Sequence, residues 1–307
     1  MKFIHGHDLQ RHARELDGWQ QHYEQLVPGK FMGALFDIWL DDMRLFREYL
    51  NLKIAQHMTL AKGYVNLVVP LQGNIAISGV PAKNGIAILP YGVKNVSLIS
   101  GNQMEVICLS LPLARFLSLM PEGKDLLTPT GAHIALSPVQ LDSLRLQCNA
   151  LINYLQHLPV IHHTDSLRAL LRDQILSTLQ TTLTQRPAGS VSRLSYTTRH
   201  YIVERCHQLI HQGLPDEADI TTLCQQLKIS RRTLQYSFQE VTGLSPVAYL
   251  RAIRLNMARS QLINMPAVQV ADIARQTGFS HSGYFASEYS ALFGETPSQT
   301  RLNAARG

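Results

Sequence analysis

Cysteine is scarce in this chain of 307 residues, and its placement excludes two classes of small-domain scaffold. The four cysteines, Cys108, Cys148, Cys206 and Cys224, are dispersed, and none forms the CxxC pair of a zinc module. Disulfide frameworks belong to small secreted domains, which this chain does not resemble in length. We therefore predict four buried free thiols in a reducing compartment.

Long apolar runs are also missing. Nowhere do about 18 apolar residues follow one another, as a membrane-spanning helix requires. The N-terminal stretch MKFIHGHDLQRHARELDGW lacks the apolar core of a signal peptide. These two absences predict a cytoplasmic protein that does not bind a membrane.

The composition that is present favours two globular domains with an anionic partner. Hydrophobic residues make up 45% of the chain and charged residues 16%, which is enough for a sizeable core. The net charge is +6, with a sequence pI near 9.2. Residues 191–307 carry 12 Lys and Arg against 8 Asp and Glu, so most of the excess lies in the C-terminal region.

Strand and helix patterns divide the chain in two, which predicts an α+β fold class. Between Phe31 and Leu111, short apolar runs such as NIAIS, GIAIL and MEVICLSL alternate with turn signals. This pattern predicts a small antiparallel β-barrel or sandwich, and we take a cupin-like barrel as the prediction. After Pro112 the periodicity becomes helical. We expect helices to complete the N-terminal domain and an all-α domain to follow.

One predicted helix, within TDSLRALLRDQILSTLQTTLTQ, has a wide apolar stripe with two interpretations. It can pack on its own domain, or it can serve a partner helix and support a homodimer. Charged substitutions at Leu171 and Leu179 would separate the two. The stripe consists of Leu167, Leu170, Leu171, Ile175, Leu176, Leu179 and Leu183.

A segment rich in proline, glycine and serine, RPAGSVSRLS at Arg186–Ser195, predicts an interdomain linker. The predicted organisation is a sensing and dimerisation domain over residues 1–186, a linker over 187–195 and a helical domain over 196–307.

The stretch KISRRTLQYSFQEVTGLSPVAYLR predicts the second helix of a helix-turn-helix. Ser230 is suited to cap it, and Leu234, Phe238 and Val241 fall on one buried face. Gly243 is suited to end it. Upstream, DITTLCQQLKI supplies the first short helix and the turn.

The same order returns as VADIARQTGFSHSGYFASEYSALFGETPS, which predicts a second helix-turn-helix. Between the two copies, SPVAYLRAIRLNMARSQL predicts a helix long enough to hold them rigidly apart. Two such units can enter successive major grooves of DNA, about 34 Å apart. Spaced by 51 residues, the matched pairs are Leu234 and Phe285, Phe238 and Tyr289, Gly243 and Gly294, and Pro246 and Pro297.

The polar face of the first copy carries side chains suited to reading base edges. An arginine can bond guanine O6 and N7 together, and a glutamine can do the same with adenine N6 and N7. Arg232 and Gln235 are the candidates for these contacts. The other predicted DNA-binding residues, which contact bases or phosphates, are Ser230, Arg231, Tyr236, Gln239, Arg251, Arg254, His281, Ser282 and Ser287.

Residues 196–301 resemble the DNA-binding domain of the arabinose-regulator (AraC/XylS) family. The resemblance lies in SRRTLQYSFQEVTGLSPVAYLRAIRLNMA and DIARQTGFSHSGYFASEYSALFGETPSQTR. It implies a bacterial transcription factor, often dimeric, that binds double-stranded DNA and RNA polymerase and whose N-terminal barrel senses a small-molecule effector. GWQQHYEQLVPGKFMG and the C-terminal motif also resemble the ethanolamine-operon regulator branch.

The second copy departs from the family pattern on its outward face. Small residues, Gly283, Ala286, Ser287 and Ser290, stand where the first copy has Arg232 and its polar neighbours. We therefore expect the second helix to read bases weakly.

The sequence lacks the residues that two candidate classes of enzyme need. Cupin-type metal enzymes need clustered histidine and carboxylate ligands, yet Phe31–Leu111 contains one histidine, His57. His207 and His211, four residues apart on a predicted helix, and the N-terminal pair His5 and His7, lack a third ligand at useful spacing. Four scattered cysteines cannot supply both a reactive thiol and a zinc site for alkyl-transfer repair. We predict no catalytic residue, metal or cofactor.

The sequence does not identify the residues that bind the effector. Trp39, His57, Tyr64 and Tyr91 are candidates to line a cavity, although aromatic residues in a small barrel are more often core. The sequence predicts a DNA-binding regulator that responds to an effector. The alternative is a ligand-independent regulator whose N-terminal domain binds a protein partner.

Overall fold

The computed structural model describes residues 1–90, 92, 96–128, 130–157, 164–187, 189–194, 197–212 and 220–305. Its strands are β1 (Lys2–Gly6), β2 (Gln20–Gln25), β3 (Gly33–Leu40), β4 (Met43–Leu50), β5 (Ile54–Thr59), β6 (Tyr64–Gln72), β7 (Ile75–Ile77), β8 (Val80–Pro81), β9 (Gly85–Pro90), β10 (Val96–Ser100), β11 (Met104–Pro112), β12 (Ala132–Ala135) and β13 (Val191–Arg193). Its α-helices are α1 (Leu9–His12), α2 (Leu113–Leu119), α3 (Pro138–His157), α4 (Asp165–Thr184), α5 (Thr198–His211), α6 (Ile220–Leu227), α7 (Arg231–Thr242), α8 (Pro246–Asn264), α9 (Val270–Gln276), α10 (Ser282–Phe293) and α11 (Pro297–Ala304).

The strands form two antiparallel sheets, followed by an all-helical C-terminal region, as the α+β prediction requires. The larger sheet has the order β1-β3-β4-β11-β6-β9-β12-β13, and the smaller has the order β2-β5-β10-β7-β8. Within the described residues the two sheets are separate, because the edge strands of one do not pair with those of the other. The closed barrel of the sequence-based prediction is therefore not confirmed.

The larger sheet is buried on both faces, which follows from the alternation of side chains along a strand. In β11, Ile107, Leu109 and Leu111 join an apolar cluster with α3 and α4, whereas Val106 and Cys108 join a cluster with the smaller sheet. Helices therefore cover one face of this sheet and the smaller sheet covers the other.

The apolar stripe of α4 packs on its own domain. Leu171, Leu179 and Leu183 are buried in the cluster formed with α3 and the larger sheet. Leu170 is 64% exposed, so it lies at the outer edge of the stripe. The alternative in which the stripe serves a partner helix is wrong, because the sheet and α3 already cover it.

Part of the predicted linker 187–195 is a strand. Val191–Arg193 pairs with β12 and extends the larger sheet by one strand. Leu194 follows with no exposed surface. Residues 188, 195 and 196, which include one predicted domain boundary, lie outside the described residues.

The four cysteines are free and buried, as predicted. Burial raises the pKa of the Cys108 and Cys206 thiols to about 12, and that of Cys148 to about 11, so all three are poor nucleophiles. Within the described part of the chain, we find no helix whose length and apolar character would let it cross a lipid bilayer.

Candidate nucleic-acid interface

The first helix-turn-helix consists of α6 and α7. Ser230 caps α7, and its Oγ accepts a hydrogen bond from the Thr233 amide at 3.1 Å. Leu234 and Phe238 have no exposed surface and fix the inner face of α7. Gly243 ends the helix in the left-handed conformation, with φ of 69°.

The outer face of α7 is exposed along its length. Arg232, Gln235, Tyr236 and Gln239 all lie on it. The Arg232 guanidinium lies 5.4 Å from the centroid of the Tyr236 ring and donates a hydrogen bond of 3.4 Å to its hydroxyl. This stacking limits the conformations of Arg232 before any ligand binds, which lowers the entropy cost of a contact.

The other predicted arginines already have partners within the protein. Arg231 donates a hydrogen bond of 2.6 Å to the Thr221 hydroxyl and so ties α7 to α6. Arg251, on α8, forms a 2.6 Å ion pair with Glu288 of α10. Both residues are still partly or fully exposed, and their contact with phosphate stays a prediction.

Arg254 also supports the second unit. It lies on α8 and is half-buried, with its guanidinium beside the turn that precedes α10. A Cβ atom built at Gly278 would lie 3.2 Å from the guanidinium carbon, and Gly278 has φ of 87°. The left-handed conformation therefore favours a glycine there, and a larger residue would also displace the Arg254 guanidinium by a few tenths of an ångström.

The second helix-turn-helix consists of α9 and α10 and has a longer turn than the first. The first helices align at an offset of 50, from Leu223 to Ile273, whereas the second helices align at 51, from Leu234 to Phe285. The spacing between the aligned core positions of the two helices is therefore one residue longer in the second unit. Gly294 ends α10 in the left-handed conformation, as Gly243 ends α7.

The outer face of α10 is exposed but nearly free of long polar side chains. His281, Ser282, Gly283 and Ser287 are exposed, whereas Ala286 and Ser290 are half-buried. His281 stands at the N-cap position without a side-chain capping bond. The small surface permits close approach, and its function stays a prediction.

Sequence reasoning missed Tyr284, whose side chain is 52% exposed on the first turn of α10. It matches Thr233 of α7, 51 residues earlier. The available signal was an aromatic residue that directly follows the small residues Ser282 and Gly283.

The sheet domain packs directly on the helix-turn-helix region, a contact that the sequence did not predict. Leu26, Ala55 and Ile99 of the smaller sheet lie in one apolar cluster with α5, α7, α8 and α10. Asn256 of α8 uses its amide oxygen to accept from the Gln25 amide at 3.0 Å, and its amide nitrogen donates to the Gln25 carbonyl at 2.9 Å. A side-chain amide therefore completes the hydrogen bonding of β2 at this point.

Carbonyl groups at the C-terminal ends of α7 and α10 accept hydrogen bonds from the sheet domain. The Lys53 ammonium donates to the Thr242 carbonyl at 2.6 Å, at the end of α7. The Gly29 amide and the Gln25 side-chain amide donate to the Leu292 carbonyl at 3.0 Å and 2.7 Å, at the end of α10. Donors at a helix C-terminus satisfy carbonyls that have no partner within the helix.

Replacing Asn256 with alanine should weaken the contact between the two regions. The change removes two hydrogen bonds to a buried segment, so we expect a loss of roughly 1 to 2 kcal/mol in the free energy of unfolding. Urea denaturation measures this loss. Asn264→Ala, at an exposed position of the same helix, is the matched control. Equal stability of the two variants would contradict the inferred contribution of the Asn256 hydrogen bonds.

Charged and titratable groups line the same junction. His57 Nε2 donates a 3.1 Å hydrogen bond to the Glu204 carboxylate of α5, and the rings of His57 and His207 stack at 4.0 Å. Burial lowers the pKa of His207 to about 4, so this imidazole is neutral at neutral pH. Burial would raise the pKa of Glu24, but the imidazoles around it hold that pKa well below its usual range.

The aromatic residues considered for an effector cavity do not gather at one place. Trp39 and Tyr64 contact each other with ring centroids 5.8 Å apart, whereas His57 lies on the other sheet, at the junction. Tyr91 lies outside the described residues. A surface cleft of about 530 Å³ lies elsewhere, between the end of α4, the segment after α2 and the start of β13.

Comparison with known families and curated proteins gives several matches. Residues 223–303 match a family described as a helix-turn-helix domain. The chain is 29% identical over 134 residues to the XylDLEGF operon transcriptional activator 2 of Pseudomonas putida. The aligned residues make up 43% of this chain and 85% of that protein. It is 28% identical over 155 residues to the transcriptional activator RhaR of Salmonella dublin, which covers 50% of this chain and 54% of that protein. The chain thus spans about half the length of this second relative.

Two solved structures are similar to the chain. The first is a transcriptional regulator from Chromobacterium violaceum with an AraC-type DNA-binding domain, at 26% identity and a TM-score of 0.33, covering 34% of this chain and 94% of that one. The second is ToxT from Vibrio cholerae, at 11% identity and a TM-score of 0.32, covering 93% of this chain and 98% of that one.

Proposed function

We propose that this chain, a member of the AraC/XylS family through its helix-turn-helix region, is a sequence-specific DNA-binding activator of transcription. The curated relatives described above are activators by name, and the chain is a regulator rather than an enzyme. One observation carries the proposal. In both helix-turn-helix units the first turn of the second helix, α7 or α10, is exposed to solvent. The sheet domain contacts the C-terminal ends of the same two helices.

This arrangement leaves the proposed DNA-contacting residues accessible. Arg232 and Gln235 lie on the exposed face of α7, and His281 and Ser282 lie at the exposed start of α10. The contacts from Lys53 are to the last carbonyls of α7, away from these side chains. DNA can therefore bind without separation of the two regions.

We propose further that the sheet domain sets the relative position of α7 and α10, the two reading helices. A change in the smaller sheet would act on both through the donors at Gln25, Gly29 and Lys53. A small-molecule effector bound by the sheet domain would act by favouring one arrangement. The cleft of about 530 Å³, which ends at the strand leading to α5, is large enough for such a ligand.

Selection of bound sequences from random DNA tests the function directly. The full chain should enrich a motif that extends over two adjacent major grooves. Absence of any enriched sequence would contradict sequence-specific binding. Thermal unfolding in the presence of a metabolite library tests the effector, because a ligand selective for the folded state raises the melting temperature. No stabilising metabolite, together with capture of a protein by the sheet domain, would favour the protein-partner alternative.

The two halves of the DNA site should carry unequal sequence information. Arg232 and Gln235 can each make a bidentate base contact, whereas the Gly283 face of α10 has no side chain able to do so. We expect most of the information in the half-site under α7, and a preference for shape or for A·T pairs in the other half.

Randomising each half-site separately measures this asymmetry. Tyr284→Ala is the matched variant for the second half, because it removes the largest exposed side chain from the first turn of α10. Equal information in both halves, or more under α10, would contradict the assignment of α7 as the principal reading helix.

Contact with RNA polymerase is part of the proposed activation. A homodimer, where one forms, needs a surface other than the α4 stripe, because that stripe is buried within the chain.

A further inference from the structure

Two histidines and a glutamate from distant parts of the sequence meet at the junction. His22 and Glu24 lie two residues apart on β2 and therefore on the same face of the strand. His211 is the last residue of α5 and faces them across the junction. One ligand atom from each of the three lies within 4.8 Å of the others.

The separations suit a single metal ion. His211 Nε2 lies 2.9 Å and His22 Nε2 lies 3.4 Å from Glu24 Oε1. Ligand atoms about 2.0 to 2.1 Å from a tetrahedral zinc ion lie roughly 3.3 Å from one another. Small rotations of the two imidazoles would therefore bring all three atoms to coordinating positions. The rings of His22 and His211 are nearly perpendicular, so their lone pairs can converge on one point.

The second carboxylate oxygen of Glu24, which faces His207 rather than the two histidines, is the less satisfied of the pair. Glu24 has no exposed surface, and its Oε2 atom has no hydrogen-bond partner among the described residues. The nearest group to this oxygen is His207, whose Nδ1 lies 3.5 Å away and is also within 3.2 Å of the Tyr249 hydroxyl. A buried carboxylate with one such oxygen is costly unless a positive charge compensates it.

Solvent can reach the site from one side. The His22 side chain is 50% exposed and that of His211 is 32% exposed, whereas that of Glu24 is fully buried. A water molecule can therefore supply the fourth ligand of a zinc-type site with two histidines and one glutamate.

A competing grouping of Glu24 with His57 and His207 fits a metal less well. The rings of His57 and His207 are stacked at 4.0 Å with only 19° between their planes. The lone pair of an imidazole lies in the ring plane, so two stacked rings cannot direct theirs at one ion. His57 is also engaged by Glu204 at 3.1 Å.

We propose that His22, Glu24 and His211 bind one divalent transition-metal ion of the Zn²⁺ class. The ion would join β2 of the sheet domain to α5 of the helix-turn-helix region. This proposal departs from the sequence-based expectation of no metal, which considered His207 and His211 and found no third ligand. The missing ligands come from β2, 187 residues earlier in the chain in the case of Glu24.

Titration of the chelator-treated full-length protein with Co²⁺ tests the site, because tetrahedral Co²⁺ absorbs visible light when it replaces Zn²⁺. We expect one equivalent to bind, and Zn²⁺ to displace it. His22→Gln and His211→Gln should each weaken Co²⁺ binding at least tenfold, since even loss of a residue that supports a ligand costs 10- to 100-fold. Both histidines are partly exposed, so the variants should fold, which melting in EDTA verifies.

The matched control is the double variant His5→Gln/His7→Gln, which removes two exposed histidines that do not belong to the three-residue cluster. It should bind Co²⁺ as the unaltered protein does. Absence of stoichiometric binding by the unaltered protein would overturn the proposal and leave His22 and His211 only as polar neighbours of Glu24. Unchanged affinity in the His22 and His211 variants would overturn it as well. The measurement uses no DNA, so its outcome is independent of the proposed regulatory function.

Discussion

Replacing Leu179 with alanine is expected to lower the free energy of unfolding by about 2 to 5 kcal/mol. Leu179 has no exposed surface and lies in the cluster that α3, α4 and the larger sheet form together. The truncation removes buried methyl groups and leaves a cavity that the surrounding strands cannot readily fill. Urea denaturation of the full chain measures the loss.

Leu170→Ala is the matched control, because Leu170 lies on the same helix and is 64% exposed. It should change the stability by no more than about 0.5 kcal/mol. Charged substitutions at Leu171 and Leu179 should now prevent folding, rather than give the folded monomers that a partner-helix role requires. A folded, monomeric double variant in analytical ultracentrifugation would contradict the burial of the stripe.

The helix-turn-helix region could be predicted because its signals are local. The cap at Ser230, the core positions at Leu234 and Phe238 and the left-handed glycine at Gly243 all act within one helix and its ends. The repeat at 51 residues made each of these signals visible twice. Local periodicity therefore sufficed to predict which face of α7 is exposed.

The strand texture was also predictable, but the closure of the strands was not. Alternating residues such as Ile107 and Cys108 indicate a strand with two buried faces, without specifying what lies on each face. A closed barrel and two packed sheets have the same alternation. Which strands pair depends on contacts between residues far apart in sequence.

The junction could not be predicted for the same reason. Asn256 looks like an ordinary polar residue of a long helix, and only the approach of Gln25 gives its amide a backbone to pair with. Arg251 looks like a free phosphate ligand until Glu288 is placed beside it. Pairings between distant residues leave no periodic signal in the sequence.

The effect of Arg232 and Gln235 on DNA binding should be among the largest of any substitution in the chain. Alanine at either position would remove one proposed bidentate base contact, and we expect a cost of about 1 to 3 kcal/mol on the preferred site, or roughly 5- to 150-fold in affinity. Both side chains are exposed on α7, so the variants should fold normally. Titration of a labelled preferred site at fixed salt measures the loss.

The matched control for the lost charge is Arg14→Ala, which removes an exposed arginine from the sheet domain. If Arg232 reads a base, the alanine variant should lose its preference at one base position, while its affinity for unrelated DNA falls little. If Arg232 contacts only phosphate, the variant should instead lose affinity equally for all sequences, and its affinity should depend less steeply on salt. Because Arg232 stacks on Tyr236 and extends from the exposed first turn of α7, we expect the first pattern. Unchanged affinity and preference in both the Arg232 and the Gln235 variants would exclude α7 as a reading helix.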